Sequence, residues 1–390
     1  MTRPAMTARQ SAARRPQSAM TLVELLVAMG VVAVLMLGGV GVYWRMNRGF
    51  ALQAATSSIE TVLRAARHAA IHERGPAVVV AEPRTDEPKQ IGLLYALSRQ
   101  TVSHWHFESP AQFAGSKVLG ALGQEATATG SPTPAPGRIG TALLLDGATA
   151  SLQVTSPYLD GLREGVFIEA YVWPDAAGLS SGAVLPIACK DVRAASNYRL
   201  ELVYDGNSTF SLQGAVRVDL GGSAHEVAFT SSEVPIPAGE WTHVGLAYAR
   251  DGRDGAGDSQ ARFLLRVNSE EAEPANPAAA GSTLLLVPNT QPLTIGTDGT
   301  NYFRGRIDEL KIAGLVAGEV HRIPSNTEVT LDPGGSRDGR VHFDREGKLD
   351  PAQHTGPVLF HVISAEDRLL RTVRVSWLGC VEVFQGPPPD

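Results

Sequence analysis

One carboxylate in this 390-residue chain, that of Glu24, stands at the start of an apolar block. The next 20 residues, from Leu25 to Trp44, carry no charge. A carboxylate that enters a lipid or protein interior is costly unless a positive group or a set of hydrogen-bond donors accompanies it. Glu24 is therefore a candidate for a specific contact with a positive partner.

Catalytic and metal-binding constellations are hard to find in the rest of the chain. Retaining glycoside hydrolysis needs two carboxylates about 5–5.5 Å apart, as a Glu-x-Asp-x-x-Glu string on one strand face would supply, and no such string occurs. Lone acids on predicted strands, such as Glu169 and Glu201, are expected to face solvent. His68 and His72 have the spacing of a two-ligand helical metal site, but no third ligand is in sight. The sequence thus predicts no enzyme, no cofactor and no metal centre.

Composition bounds the class of protein. The chain is 43% hydrophobic with a formal net charge of -6, so it can fill real cores, and its length predicts two or three domains. Its mild acidity and scattered Arg residues exclude nucleic acid as a partner. The two cysteines, Cys189 and Cys380, are too few for a disulfide scaffold or a zinc site, and one bridge between them stays open.

The uncharged run is long enough to cross a membrane as a helix. Rising about 1.5 Å per residue, it matches the ~30 Å hydrocarbon core of a bilayer, whereas a secretory h-region has about 7–15 residues. The charge bias places the N-terminus in the cytoplasm and the bulk of the chain outside. A single transmembrane segment is predicted at residues 22–44, preceded by Arg3, Arg9, Arg14 and Arg15.

Helical spacing continues beyond Trp44. Apolar residues recur on one face of the following segment, and Gly75-Pro76 stops the element. The pattern predicts one helix from about Leu22 to His72, with its first half in the membrane and its second half packed against a soluble head. The apolar face comprises Ile59, Val62, Leu63, Ala66 and Ala70.

The residues around Glu24 form a specific motif. A leader with several Arg residues is followed by a small residue, an apolar residue and Thr-Leu-Val-Glu-Leu, within the string Ser18–Val27. This string resembles the processing site of type IV pilins and type II secretion pseudopilins. The resemblance implies that prepilin peptidase removes residues 1–19 by cutting between Ala19 and Met20, and that Met20 becomes the N-methylated first residue. It also implies that Glu24 pairs with the free amino terminus of a neighbouring subunit during assembly.

Short strands lie on both sides of a long middle segment. Ala77–Ala81 and Ile91–Leu97 predict two strands, and further strands are predicted between residues 341 and 383. Together with Leu63–Ile71, these strands resemble the head domain of H-type minor pseudopilins and FimT-like minor pilins. The resemblance implies one head, assigned to residues 75–103 and 317–390, which an insertion splits.

The pattern of the inserted segment, residues 104–316, predicts a β-sandwich, because alternating runs recur between Gly, Pro and Asp turns. A series of ordered motifs in it resembles a laminin-G-like, or concanavalin A-like, jelly roll. The predicted fold class is α+β: a long N-terminal helix at residues 20–74 with a small β head, split by an all-β jelly roll. The motifs are His104–Glu108, Pro136–Gly147, Phe167–Pro174, Glu240–Tyr248, Leu293–Gly296 and Phe303–Ile312.

Calcium is a secondary expectation that follows from this second resemblance. Relatives of the jelly roll often bind calcium through Asp side chains and backbone carbonyls, which suit a hard cation. Asp146 and Asp308 occupy positions where that family commonly has an acid. The alternative is that both side chains cap turns.

The two resemblances together imply a structural role. We expect a minor pseudopilin or minor pilin, held in the bacterial inner membrane by one helix with its bulk in the periplasm. It would then join other pilin subunits in a filament and present the jelly roll to a glycan or a secreted protein. Two alternatives stay open: a membrane-anchored adhesin or receptor that never enters a filament, and a membrane-tethered glycan-active enzyme.

Overall fold

The computed structural model describes residues 22–108, 117–220, 222–250, 261–272, 285–336, 339–365 and 368–388. The predicted α+β fold class is confirmed, with an N-terminal helix and a jelly-roll-like sandwich. In chain order the described elements are α1 (Leu22–His72), β1 (Ala77–Pro83), β2 (Ile91–Trp105), β3 (Lys117–Leu119), β4 (Glu125–Thr129), β5 (Thr133–Pro136), β6 (Thr141–Asp146), β7 (Ser151–Val154), α2 (Pro157–Asp160), β8 (Gly165–Pro174), β9 (Val184–Lys190), β10 (Tyr198–Tyr204), β11 (Thr209–Leu220), β12 (Ser223–Pro237), β13 (Thr242–Arg250), β14 (Ala261–Val267), β15 (Glu270–Ala272), β16 (Leu293–Ile295), β17 (Arg304–Ala317), β18 (His321–Arg322), β19 (Thr327–Asp332), β20 (Val341–Phe343), β21 (Val358–Ser364), β22 (Leu370–Val375) and β23 (Val381–Gln385).

The C-terminal half of α1 is an ordinary amphipathic helix. Its buried side chains recur every three or four residues and so share one face. The helix ends where Arg74 adopts a left-handed conformation with φ of 48°, and the Gly75 N–H bonds to the Ala70 carbonyl at 3.2 Å. The buried residues of this face are Leu52, Ala55, Ile59, Val62, Leu63, Ala66 and Ala70.

The N-terminal half of α1 has different surroundings. Between Leu22 and Met36, the large apolar side chains that the structure describes are 48% to 75% exposed. Within the described part of the chain, no helix has both the length and the apolar character that crossing a bilayer requires. The side chains of Glu24 and of residues 37–49 lie outside the described residues, so the span at 22–44 stays a prediction.

The core of the head is built from both ends of the chain. Helix α1 contacts β1 and β2, which follow it in sequence, and also β19 to β23, which come last. Strand β20 pairs antiparallel with β1, so that Ala77 lies opposite Phe343 and Val79 opposite Val341. A four-stranded sheet in the order β19-β21-β22-β23 covers the remaining face. Apolar burial shared by these distant segments therefore stabilises the head.

The jelly roll consists of two antiparallel sheets around a second core. The smaller sheet has the order β12-β11-β10-β9-β16-β7-β4-β3, and it faces β15-β14-β13-β8-β17 of the larger sheet. Alternation along β8 sends Ile168, Ala170 and Val172 into the core and leaves Glu169 and Tyr171 on the outer face. The largest buried apolar side chains of this core are Trp105, Phe107, Tyr198, Phe210, Tyr248, Phe263 and Phe303.

Strand β2 belongs to both units. Its first half pairs with β1, and its second half pairs with β17, where Leu310 lies opposite Trp105 and Ala317 opposite Leu97. The larger sheet therefore runs from the jelly roll into the head in the order β8-β17-β2-β1-β20. The boundary between residues 103 and 104, placed where the jelly-roll motifs begin, falls inside β2. The domain boundaries as such stay predictions.

The packing of α1 against the head can be tested at Ile59, which is fully buried. We expect Ile59→Ala to lower the free energy of unfolding by roughly 2–5 kcal/mol, because it removes buried methyl groups and leaves a cavity. The same change at Ile71, which lies on the same helix and is 47% exposed, should cost less than about 1 kcal/mol. Chemical denaturation of the detergent-purified chain measures both. Equal losses for the two variants would contradict the packing described here.

Candidate functional site

The residues predicted to control processing and assembly lie at the edge of what the structure describes. Ala19 and Met20 fall outside the described residues. Glu24 lies near the start of α1, but its side chain is also outside them. The roles of these three residues therefore stay predictions, and the described chemistry lies in the jelly roll and at its junction with the head.

A groove of about 580 Å³ lies between the outer face of the larger sheet and the head. Its walls mix charged and apolar side chains from both units, and Arg99 on β2 lies among them. The Arg99 guanidinium donates to Glu169 at 2.9 Å and stands 4.6 Å from the centre of the Phe167 ring. The lining includes Phe167, Glu169, Leu264, Arg266, His342 and Arg345. This mixture suits a polar ligand that also offers apolar faces, as sugars do.

Two titratable side chains near the groove, Glu169 and His243, have lowered pKa values. Burial alone would raise the pKa of Glu169, but the charge and hydrogen bond of Arg99 outweigh it and lower that pKa. Burial also lowers the pKa of His243, whose ring lies 5.0 Å from that of Tyr171. At neutral pH Glu169 is thus an ionised acceptor and His243 a neutral imidazole. General acid catalysis by Glu169 would require a raised pKa instead.

A second, smaller cavity of about 240 Å³ lies at the other end of β8. Trp173 lines it, together with Asp146 and Asp175. The Arg306 guanidinium stacks over the Trp173 ring at 4.7 Å, which is a cation–π contact. The outer face of the larger sheet therefore carries aromatic side chains at both ends of β8.

Asp146 accepts hydrogen bonds from backbone donors of its own turn. Asp146 Oδ1 accepts the N–H groups of Ala148, Thr149 and Ala150, each at 2.9 Å. Desolvation by itself would raise the pKa of Asp146, but these hydrogen bonds stabilise the carboxylate and lower that pKa overall. The structure thus matches the turn-cap alternative for this residue, and calcium binding stays a prediction.

Asp308 is buried and fixes the loop before β6. Its Oδ2 accepts the N–H groups of Arg138 at 2.8 Å and Ile139 at 3.0 Å, and its Oδ1 accepts that of Glu309 at 2.8 Å. Burial raises the pKa of Asp308 in spite of these donors. The Asp308 side chain therefore connects that loop to β17 through hydrogen bonds.

The expectation that Glu201 faces solvent is wrong. Its side chain is only 1% exposed, and it accepts from Arg193 at 2.5 Å and from Arg199 at 3.4 Å. Burial raises the pKa of Glu201, although the charges of both arginines act to lower it. The sequence pattern missed this because Arg193 belongs to the connection between β9 and β10, which folds back over the strand; Asp298 meets the same arginine at 3.4 Å. Glu169, by contrast, is partly exposed and paired with Arg99.

The cysteines and the helical histidines take no part in a joint site. Cys189 is buried and Cys380 exposed, and neither forms a disulfide, so the bridge left open by the sequence is absent. Burial raises the pKa of the Cys189 thiol to about 12, which makes it unreactive. His68 and His72 stack with ring centroids 6.0 Å apart on the exposed side of α1.

Sequence reasoning missed a cluster of three possible metal ligands, His104, His106 and Glu309. The ligand atoms of these three side chains all lie within 4.8 Å of one another, which is close enough to share an ion. His104 lies on β2 and His106 directly after its last residue, and this His-x-His spacing was a signal that the sequence displayed. Glu309 could not be added from sequence, because it comes from β17, about 200 positions away.

Comparison with family models identifies two segments of the chain. Residues 14–40 match the model described as the prokaryotic N-terminal methylation motif. Residues 146–317 match the concanavalin A-like lectin/glucanases superfamily. Both recognitions made from the sequence are thereby confirmed, and the motif supports membrane anchoring in the manner of pilins. A search among curated proteins finds no match.

Solved structures share only low similarity with the chain. Domain 4 of AbnA, an extracellular arabinanase from Geobacillus stearothermophilus solved with arabinotriose, is 18% identical, with 56% of this chain and 93% of that chain covered and a TM-score of 0.38. The enzymatically active domain of tailspike protein 2 from bacteriophage CBA120 is 15% identical, with 47% of this chain and 27% of that chain covered and a TM-score of 0.32. A pentraxin from Limulus polyphemus is 12% identical, with 61% of this chain and 76% of that chain covered and a TM-score of 0.26. At such TM-scores these likenesses carry no argument about function.

The turn held by Asp146 offers a pH-dependent test. Because the pKa of folded Asp146 is lowered, its stabilisation is fully present above the ordinary Asp pKa of about 3.9 and is lost as the pH falls below it. We expect Asp146→Asn to lower the melting temperature at about pH 7 and to have a smaller effect at about pH 3. Asp86→Asn, at an exposed loop position, is the control and should change little at either pH. An Asp146→Asn effect that is equal at both pH values would contradict the role of the ionised carboxylate.

Proposed function

Because the chain carries a prokaryotic N-terminal methylation motif and a concanavalin A-like domain, we propose that it is a minor pseudopilin or minor pilin. Prepilin peptidase removes residues 1–19, the exposed half of α1 enters a bundle with the helices of other pilin subunits, and the jelly roll is presented at the surface. The subunit is stored in the inner membrane with its N-terminus in the cytoplasm and its bulk in the periplasm. The proposal covers both type II secretion and type IV pilus filaments.

The division of α1 into two halves is the observation that carries this proposal. One half buries its apolar face in the head, while the other leaves every described large apolar side chain between Leu22 and Met36 at least 48% exposed. A contiguous apolar surface of this kind requires a partner, either lipid or another apolar helix. A filament subunit uses both partners in turn, since it moves from the membrane into a helical bundle.

The connection between jelly roll and head supports a display role. The two units share β2 and the larger sheet, so the jelly roll extends from the head through paired strands rather than through a flexible linker. A domain of this size on every subunit would obstruct regular stacking along a filament. We therefore place the subunit at a low-copy position, at or near the tip.

The ligand of the jelly roll is proposed to be a glycan or a secreted protein. The groove beside Arg99 and the second cavity beside Trp173 provide charged donors, acceptors and flat apolar surfaces at the two ends of β8. An adhesin or receptor that uses the pilin helix only as an anchor would need the same surface. The two functions differ in whether the chain enters a filament.

Processing can be tested by changing the residue before the proposed cut. In a host that expresses prepilin peptidase, intact-mass analysis of the wild-type chain should show loss of residues 1–19 and one added methyl group on Met20. Ala19→Lys should block cleavage, because a long charged side chain replaces a small one. Ala13→Lys adds the same charge elsewhere in the leader and should leave cleavage intact. A wild-type chain that still begins at Met1 would overturn the pilin assignment.

Assembly can be tested separately at Glu24. We expect Glu24→Gln to leave membrane insertion and head folding unchanged but to reduce incorporation into filaments at least about tenfold, a loss of about 1.4 kcal/mol of assembly free energy. Glu87→Gln is the control, since it makes the same carboxylate-to-amide change at an exposed loop position outside α1. Quantitative blotting of sheared filaments and of membranes measures both fractions. A wild-type chain that is cleaved yet absent from filaments would favour the anchored receptor.

A further inference from the structure

Two imidazoles and one carboxylate converge on a single point at the outer face of the larger sheet. His104 Nε2 lies 2.9 Å from Glu309 Oε2, and His106 Nδ1 lies 2.9 Å from Oε1 and 2.8 Å from Oε2 of the same side chain. The two imidazole rings are 3.9 Å apart. One ligand atom from each residue lies within 4.8 Å of the others. From this geometry we propose that His104, His106 and Glu309 bind a divalent transition-metal ion of the Zn²⁺ type.

The fold fixes the two histidines before any ion arrives. His104 lies on β2, and His106 directly follows Trp105, the last residue of that strand. Positions two apart in an extended chain point to the same side, and the two ring centroids are 3.9 Å apart. The intervening Trp105 and the following Phe107 are both buried in the jelly-roll core, at 0% and 1% exposure, which anchors the backbone on either side of His106. An ion would therefore meet two ligands whose orientation has already been set by core packing.

Glu309 reaches the histidines because of an irregularity in β17. The register between β17 and β8 shifts between Asp308 and Lys311, and Glu309 adopts a left-handed conformation with φ of 49°. For a residue other than glycine this conformation costs roughly 1–3 kcal/mol. The buried Asp308 holds it in place by accepting the Glu309 N–H at 2.8 Å. Bulges of this kind often re-aim a side chain at a functional site.

The donor set indicates which class of ion would bind. Two imidazoles and one carboxylate are a common zinc set, with a water or other ligand in the fourth position. Calcium and magnesium prefer oxygen donors alone, so the two imidazoles disfavour them. The side chains are 21%, 40% and 17% exposed for His104, His106 and Glu309, which leaves a path for the ion and room for a fourth ligand.

Binding requires only a small rearrangement. In a tetrahedral zinc site with bonds of about 2.0–2.1 Å, neighbouring ligand atoms lie about 3.3 Å apart. The His104–Glu309 and His106–Glu309 separations of 2.9 Å and 2.8 Å are hydrogen-bond distances, so each imidazole would move about half an ångström away from the carboxylate. The ion would then bridge β2 to β17, the two strands that join the jelly roll to the head.

The test is a metal titration of the full chain in detergent, after treatment with EDTA and removal of the chelator. Calorimetry with ZnCl₂ should give one ion per chain with a dissociation constant of about 10 μM or tighter. Co²⁺ should produce the intense visible absorption of a tetrahedral site. Glu309→Gln should weaken Zn²⁺ binding at least about tenfold. His106→Ala should weaken it similarly, and it removes the most exposed ligand, so folding is least affected.

The matched control is the double variant His68→Ala/His72→Ala, which removes a histidine pair on the exposed side of α1 with ring centroids 6.0 Å apart. It should bind Zn²⁺ as the wild type does. A wild-type dissociation constant weaker than about 100 μM would mean that the three residues form a hydrogen-bonded cluster without a metal function. Unchanged binding in His106→Ala, or loss of binding in the His68/His72 variant, would likewise overturn the proposal. None of these outcomes depends on processing or filament assembly.

Discussion

The pairing of β2 with β17 is the interaction on which the rest of the molecule depends. Through it, one continuous sheet carries both the jelly-roll core around Trp105 and the head core around α1. The backbone hydrogen bonds of this ladder join the two units directly, so they hold the units together more firmly than a flexible linker would. The groove beside Arg99 lies next to this ladder and is lined by side chains from both units, and the histidine cluster lies at the end of the ladder where Leu310 is opposite Trp105.

Much of the fold could be predicted from sequence because the strongest signals are local. The bounds of α1 follow from apolar spacing and the Gly75-Pro76 stop, and the jelly roll follows from motifs that each lie within one or two strands. Those signals depend on neighbours a few residues apart, which the sequence displays directly. These local signals were sufficient to recognise both family resemblances and to predict the fold class.

The site chemistry was less predictable because it depends on register and loop placement. Glu201 belongs to an alternating strand, which predicts a solvent-facing position, but Arg193 from a neighbouring connection covers it. Glu309 joins His104 only because β17 shifts register beside β8, and that shift has no signature within the strand itself. Arg99 meets Glu169 across three strands of the larger sheet. Such contacts are decided by long-range pairing, so a single sequence leaves them open.

The closure of the head by the last strands has a consequence for the order of folding. Arg67 on α1 donates to the Gly347 carbonyl, a contact between positions 280 residues apart. Contacts of such separation form slowly, since a long loop must close before they contribute. Because a chain is synthesised from its N-terminus, the jelly roll is complete before β19 to β23 are made, so it can fold while Ile59 and its neighbours are still uncovered. The head is then completed last, when the final strands pack on the apolar face of α1.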